Sequence, residues 1–264
     1  MGNSDTIRPE ASSEYLIRLE HVHKQFGKHV VFKDFSIGLR KGETTVVLGA
    51  SGVGKSVLLK LVLGLLKPTS GRIFVDGTEI TRLSERNLVP IRKRFGMLFQ
   101  GAALFDFLTV YENVSFALHE HKTLPEADMR RIVAQKLALV DMAGTENLLP
   151  EELSGGMRKR VGLARAIAME PEAILYDEPT TGLDPVTADT INDLILRCQK
   201  ELKTTGIVVT HDMASAYKVA DRMILLYEGE IIADGTPDQI RRHPDIRVQR
   251  FIHGDASLTV APPA

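Results

Sequence analysis

Short, continuous apolar runs recur along the chain at Thr44–Leu48, Ala173–Tyr176, Ile207–Thr210 and Met223–Leu226. Runs of this length with few polar interruptions predict parallel strands covered on both faces, and so an α/β core. Tyr15–His21 instead alternates in character and predicts an edge strand. Asp76-Gly77 and Glu228-Gly229 each follow an apolar run, as the turns of antiparallel hairpins do. Between Phe99 and Ala173 the period becomes helical: Ile132, Val133, Leu137 and Val140 fall at helical spacing within Met129–Met142, with Pro125 near the start. The expected fold is a core of mainly parallel strands, an antiparallel β subdomain, and a helical subdomain inserted over about 101–165. Residues 1–14 are polar and aperiodic, and 254–264 end in a Pro-rich stretch; both read as flexible tails around one domain, 15–253. Each motif described below occurs once, so two active sites would need two chains.

Composition narrows the class. With 264 residues, 44% hydrophobic and 25% charged, the chain is too apolar to be mainly disordered. A formal charge of −1 predicts no bulk attraction to nucleic acid or anionic lipid. The triplets Arg92-Lys93-Arg94 and Arg158-Lys159-Arg160 read as solvated helix faces. The single cysteine, Cys198, excludes an intramolecular disulfide and fits a reducing compartment, which favours the cytosol. The N-terminus has no apolar leader, and the most apolar stretch, Val57–Leu66, is short and interrupted by Lys60, so no membrane span is expected. Any membrane role then requires another polypeptide.

Gly49-Ala50-Ser51-Gly52-Val53-Gly54-Lys55-Ser56 lies between a predicted strand and an apolar helix, as a phosphate-binding loop requires. Its glycines let successive N–H groups curl toward one anion, and the helix start adds positive potential. Lys55 reaches the β- and γ-phosphates of a nucleotide such as ATP, and Ser56 offers a hydroxyl to Mg²⁺. This makes the predicted core a P-loop NTPase core.

The strand Ala173–Tyr176 runs into two acids, Asp177 and Glu178, an arrangement that costs free energy unless the carboxylates meet a metal, water or partner. Asp177 suits the Mg²⁺ shell. Glu178, one residue on, is placed to orient or deprotonate the water attacking the γ-phosphate.

Leu153-Ser154-Gly155-Gly156-Met157, just before a helix, resembles the signature loop of ABC-type ATPases, and the order of all the pieces matches that family. Gln100 in Met97-Leu98-Phe99-Gln100 resembles the Q-loop, Thr181-Gly182-Leu183-Asp184 the D-loop, and His211 in Val209-Thr210-His211-Asp212 the switch histidine. The resemblance covers about residues 15 to 253. It implies an ATP hydrolase in which Ser154, Gly155 and Gly156 of a second copy grip the γ-phosphate, so that two chains close head to tail on ATP. It also implies that His211 contacts the γ-phosphate and holds Glu178 and water in line, that Gln100 reaches Mg²⁺ or the water, and that Asp184 belongs to the nucleotide contacts. Phe26 stands where the family stacks an aromatic on adenine, with a core phenylalanine as the alternative. Met157 replaces the more usual glutamine.

A narrower resemblance lies in Gly101–Val114 together with the SGGM signature: both are similar to the ATPase subunit of Mla/Mce-type phospholipid transporters. So is Arg247–Gly254, which reads equally as an amphipathic closing helix with Val248, Phe251 and Ile252 inward. That likeness implies a peripheral protein on the cytoplasmic side of the inner membrane. A permease would dock near residues 99–114, with an Mce-domain lipid-binding protein reached through it and no nucleic acid partner. Phe99, Leu104, Phe105, Phe107 and Tyr111 suit such a groove or a subdomain core, and exposure decides between them. The alternatives are an ABC importer ATPase for another small solute and a soluble ABC ATPase outside transport.

Overall fold

The computed structural model describes residues 14–122 and 124–254; the tail readings fall largely outside them. Elements follow in the order β1 (Tyr15–Phe26), β2 (His29–Arg40), β3 (Thr44–Leu48), α1 (Lys55–Val62), β4 (Ser70–Val75), β5 (Thr78–Glu79), α2 (Glu85–Arg92), β6 (Phe95–Leu98), α3 (Val110–His121), α4 (Glu126–Leu139), a 3-10 turn at Pro150–Glu152, α5 (Gly155–Ile167), β7 (Ala173–Asp177), α6 (Pro185–Leu202), β8 (Thr205–Thr210), α7 (Met213–Val219), β9 (Arg222–Tyr227), β10 (Glu230–Gly235), α8 (Pro237–Arg241) and α9 (Ile246–His253).

Among the described residues the strands form two sheets. An antiparallel sheet runs β2-β1-β4-β5, and a larger one runs β10-β9-β3-β8-β7-β6, in which only β10 is antiparallel to its neighbour. All four apolar runs are parallel strands here. β6, at Phe95–Leu98, is a further parallel strand that those runs did not include. The Asp76-Gly77 and Glu228-Gly229 turns close β4–β5 and β9–β10, with positive φ at all four residues, the backbone twist that tight hairpins need.

Tyr15–His21 corrects an expectation: β1 lies between β2 and β4, inside its sheet. Along residues 17–20 the alternation reports one covered face, because Ile17 and Leu19 are buried while Arg18 and Glu20 are half-buried. One-faced burial marks interior and edge strands alike.

The parallel sheet separates two cores. Val47, Leu175, Ile207 and Val209 pack with α1 and the antiparallel sheet, while Val46, Leu48, Ile174, Tyr176 and Val208 pack with the helices between β6 and β8. Alternate residues of each strand thus face opposite layers, which explains why these strands are apolar throughout. α3, α4 and α5 pack on one another within the second core, joining Val114, Leu118, Val133, Leu137 and Leu163. α9 closes this layer with Val248 fully buried and Phe251 and Ile252 against the core. No helix of the described residues is long and apolar enough to cross a membrane.

Candidate active site

The site forms where parallel strands end. β3, β8, β7 and β6 are consecutive neighbours, and their registers pair Leu48 with Thr210, Asp177 with Val209, and Leu98 with Tyr176. The residues just beyond these ends are therefore brought side by side: the loop 49–56 after β3, His211 after β8, Glu178 after β7 and Gln100 after β6. Open α/β sheets bind ligands outside the carboxyl ends of their strands for this reason.

The loop reaches its conformation through its glycines. Gly54 caps α1 at φ 111°, where a Cβ would lie 2.6 Å from a Val31 methyl carbon. That position therefore excludes side chains on both conformational and steric grounds. Lys55 is 6% exposed, and its Nζ donates to Gly49 O at 2.7 Å and Ala50 O at 3.1 Å and lies 3.3 Å from Glu178 Oε1. Ser56 Oγ donates to Asp177 Oδ1 at 3.0 Å. An open cleft of about 220 Å³ lies over these groups, lined by Ser51, Gly52, Lys55, Ser56, Gln100, Glu178 and His211.

Glu178 is buried and held from three directions. His211 Nδ1 lies 2.9 Å from Oε2, Thr181 Oγ1 donates to the same oxygen at 3.3 Å, and Lys55 faces Oε1. The residue itself adopts a left-handed backbone (φ 48°), with its N–H on Val209 O at 2.9 Å. Burial pushes its carboxyl upward, but the hydrogen bond from His211 and the charge of Lys55 outweigh that and hold its pKa below the ordinary glutamate value. Asp177 moves the other way: burial raises it, reinforced by the charge of Glu178 and opposed by the Ser56 hydroxyl. Two adjacent carboxyls thus have opposite tendencies, Glu178 toward holding charge and Asp177 toward keeping its proton. The hard oxygens of Ser56, in the cleft lining, and of Asp177, hydrogen-bonded to it, fit Mg²⁺, which takes few protein ligands and completes its shell from phosphate and water.

The other candidate residues lie outside this cleft. Ser154 is exposed at the N-cap of α5, where its Oγ accepts from Met157 N at 3.2 Å; Gly155 is exposed and Gly156 buried. Met157 packs on the core, a use of the fifth signature position that needs no polar group. Asp184 caps α6, accepting from the N–H groups of Val186 and Thr187 and from the Thr187 hydroxyl. Phe26 ends β1 at 46% exposure with Lys24 Nζ 4.6 Å from its ring centre, so it is a surface aromatic and not a core one.

Lys159 overturns the solvated-face expectation for its triplet. It is 5% exposed, and its Nζ donates to the carbonyls of Gln100 and Glu178, at 3.2 Å for the latter. The signal available in the sequence was helical phase: Lys159 shares a face with Leu163 and Ala166 at i+4 and i+7. The Arg92 and Arg94 side chains are likewise engaged, Arg92 with Leu63 O, Gly64 O and Glu85, and Arg94 with Glu172 and Asp76.

The model of the ABC transporter family matches residues 32–181. Over 244 residues the chain is 42% identical to the intermembrane phospholipid transport system ATP-binding protein MlaF of Haemophilus influenzae, covering 92% of each chain. It is 40% identical over 252 residues to the probable ribonucleotide transport ATP-binding protein mkl of Mycobacterium tuberculosis, covering 94% of this chain and 70% of that one. It also superposes on the dimeric post-hydrolysis structure of the ATP-binding cassette MJ0796 bound to ADP and Pi, with a TM-score of 0.77, 31% identity, and coverage of 84% and 98%.

Proposed function

This chain belongs to the ABC transporter family as an ATP-binding, ATP-hydrolysing subunit, and from that premise we propose that two copies power phospholipid transport through a membrane permease. The observation that carries the catalytic part is Glu178, buried and fixed between Lys55 and His211 in the lining of the cleft.

Residues 49–56 cradle the phosphates with backbone N–H groups, and Lys55 releases its contacts with Gly49 and Ala50 to meet them. Ser56, Asp177 and Gln100 would hold Mg²⁺, which would supply charge neutralisation on the phosphates. Glu178 accepts the proton of the attacking water, and His211 keeps that carboxylate oriented and contacts the γ-phosphate. Phe26 stacks on the base. Ser154, Gly155 and Gly156 act on the nucleotide of the second copy, with Asp184 at the same junction. The exposure of Ser154 and its separation from the cleft of its own chain support this division of labour, as does the dimer of MJ0796.

The permease surface is the segment 99–114. Phe99, Phe105 and Phe107 are 39%, 36% and 79% exposed, with Phe116 at 42% beside them, while Leu104 and Tyr111 turn partly into the core. Phe105 touches both neighbours, at ring distances of 6.1 Å to Phe107 and 4.8 Å to Phe116. Asn113 rigidifies the loop by accepting from Phe105 N and donating to the carbonyls of Phe105, Leu108 and Thr109. A preorganised aromatic patch of this kind suits an apolar helix of a membrane partner. The chain then sits peripherally on the cytoplasmic side of the inner membrane, with an Mce-domain protein reached through the permease.

Likeness to MlaF supports phospholipid as cargo, and likeness to mkl supports a second reading, transport of another solute. Purification of the chain with its membrane partner and mass spectrometry of the bound small molecules separates them. Bound phospholipid is the expected result; a complex carrying a different solute and no lipid would overturn it.

A further inference from the structure

Lys159 is a buried cation without a buried carboxylate bound to it; two backbone carbonyls, those of Gln100 and Glu178, accept from its Nζ instead. Burying an ammonium is costly, and a structural core position is served as well by an apolar side chain. The two acceptors belong to the two loops that carry the proposed base and the proposed Mg²⁺ or water ligand, on strands β7 and β6. Burial pulls the Lys159 ammonium below the ordinary lysine pKa, and the charges of Asp177 and Glu178 oppose it only in part.

The same helix holds the Gln100 turn further along. Ala102 and Ala103 both have positive φ, an unfavourable conformation for residues with a Cβ. Arg165 donates to their carbonyls at 2.7 and 2.6 Å. Gly162 lies between the two cations, where a Cβ would come within 3.0 Å of Leu98 and 3.2 Å of Ala102. Lys159, Gly162 and Arg165 therefore form one continuous seam of α5 against the turn.

We propose that Lys159 is a positioning residue for ATP hydrolysis, fixing the Glu178 and Gln100 loops to one point on α5. Because Ser154 caps that helix five residues earlier, the point that sets the base of one cleft is rigidly linked to the group proposed to grip the opposite nucleotide. The inference rests on the assignment of Glu178 as base. It makes the arrival of the second chain at Ser154 an event felt at the first chain's own carboxylate.

The test uses the full chain in its ATP-hydrolysing assembly. Lys159→Met, which keeps the stem and removes the donors, is expected to lower kcat about 10- to 100-fold while KM for ATP stays within about twofold. Lys159→Arg, which keeps charge and donors, recovers part of the rate. In a Glu178→Gln background Lys159→Met leaves the ATP-dependent closed dimer intact by size-exclusion chromatography. Wild-type kcat in Lys159→Met overturns the proposal, and so does loss of the closed dimer together with kcat, which marks a merely structural residue. Normal turnover by Glu178→Gln alone strikes the assignment of the base instead, so the two failures are distinct.

Discussion

His211 Nδ1 and Glu178 Oε2 are 2.9 Å apart across the ends of two neighbouring parallel strands, β8 and β7. An ionised carboxylate only accepts, so the histidine nitrogen donates, and this orients the carboxylate. Its other oxygen faces Lys55 at 3.3 Å. One carboxylate thus joins the phosphate loop to the histidine, and most of the chemistry expected of the chain depends on it.

Glu178→Gln is expected to retain ATP binding and lose turnover by about 10²- to 10⁴-fold, the range for a general base. The closed dimer should accumulate with unhydrolysed ATP. Steady-state phosphate release and the nucleotide content of the isolated dimer measure both effects.

The Glu178 carboxyl itself is expected to titrate below the ordinary value of 4.5, since its partners favour the charged form. With the folded pKa lowered, the stabilisation it contributes is present above the unfolded value and is lost only as pH falls through the folded one. Carbon NMR of glutamate-labelled chain, with Glu178→Gln to assign the signal, reads this directly. A midpoint above 4.5 would contradict the arrangement.

Ser154→Ala removes a helix cap worth about 1 kcal/mol and the proposed grip on the opposite nucleotide. Binding of ATP to a single chain should be nearly unchanged, while ATP-driven dimerisation weakens. Mixing Ser154→Ala with Lys55→Ala chains should restore one working site of two; complete inactivity of the mixture argues against shared sites.

Phe107→Ser alters the most exposed aromatic of the proposed permease patch, at 79%. Chain stability should change by less than about 0.5 kcal/mol, as at other surface positions. Recovery of the membrane partner in a pull-down should fall. Undiminished recovery moves the docking surface elsewhere.

Cys198 is 1% exposed, and burial pushes its thiol up to about 12. The reactive thiolate is therefore scarce at any pH below that value. A thiol reagent at pH 8 should leave the native chain unlabelled and label the unfolded chain fully; rapid native labelling would show that the α6 layer opens.

The order of motifs, the phosphate loop and the two strand-end acids were legible in the sequence because each is local: a glycine pattern before a lysine, or an apolar run ending in charge. Four of the five strands with parallel partners were legible because both their faces are buried; β6, only half-buried at Phe95 and Met97, was not. Nothing local, however, shows that β8 lies between β3 and β7. Only that strand order puts His211 beside Glu178 and Glu178 beside Lys55. Likewise β1 looked like an edge, because a period of two reports how many faces are covered and says nothing about how many neighbours a strand has.

Lys159 is the sharpest case. A lysine between two arginines has the composition of a wet helix face, and its own sequence carries no mark of the two carbonyls that accept from it. The chain by itself determined which groups could hold phosphate and metal, since residue type and spacing fix chemistry within one loop. Which of those groups meet, and which cation is buried among them, was decided by the packing of α5 against strand ends 59 residues from Lys159 in one direction and 19 in the other, at Gln100 and Glu178, where long-range contact and not local pattern sets the geometry.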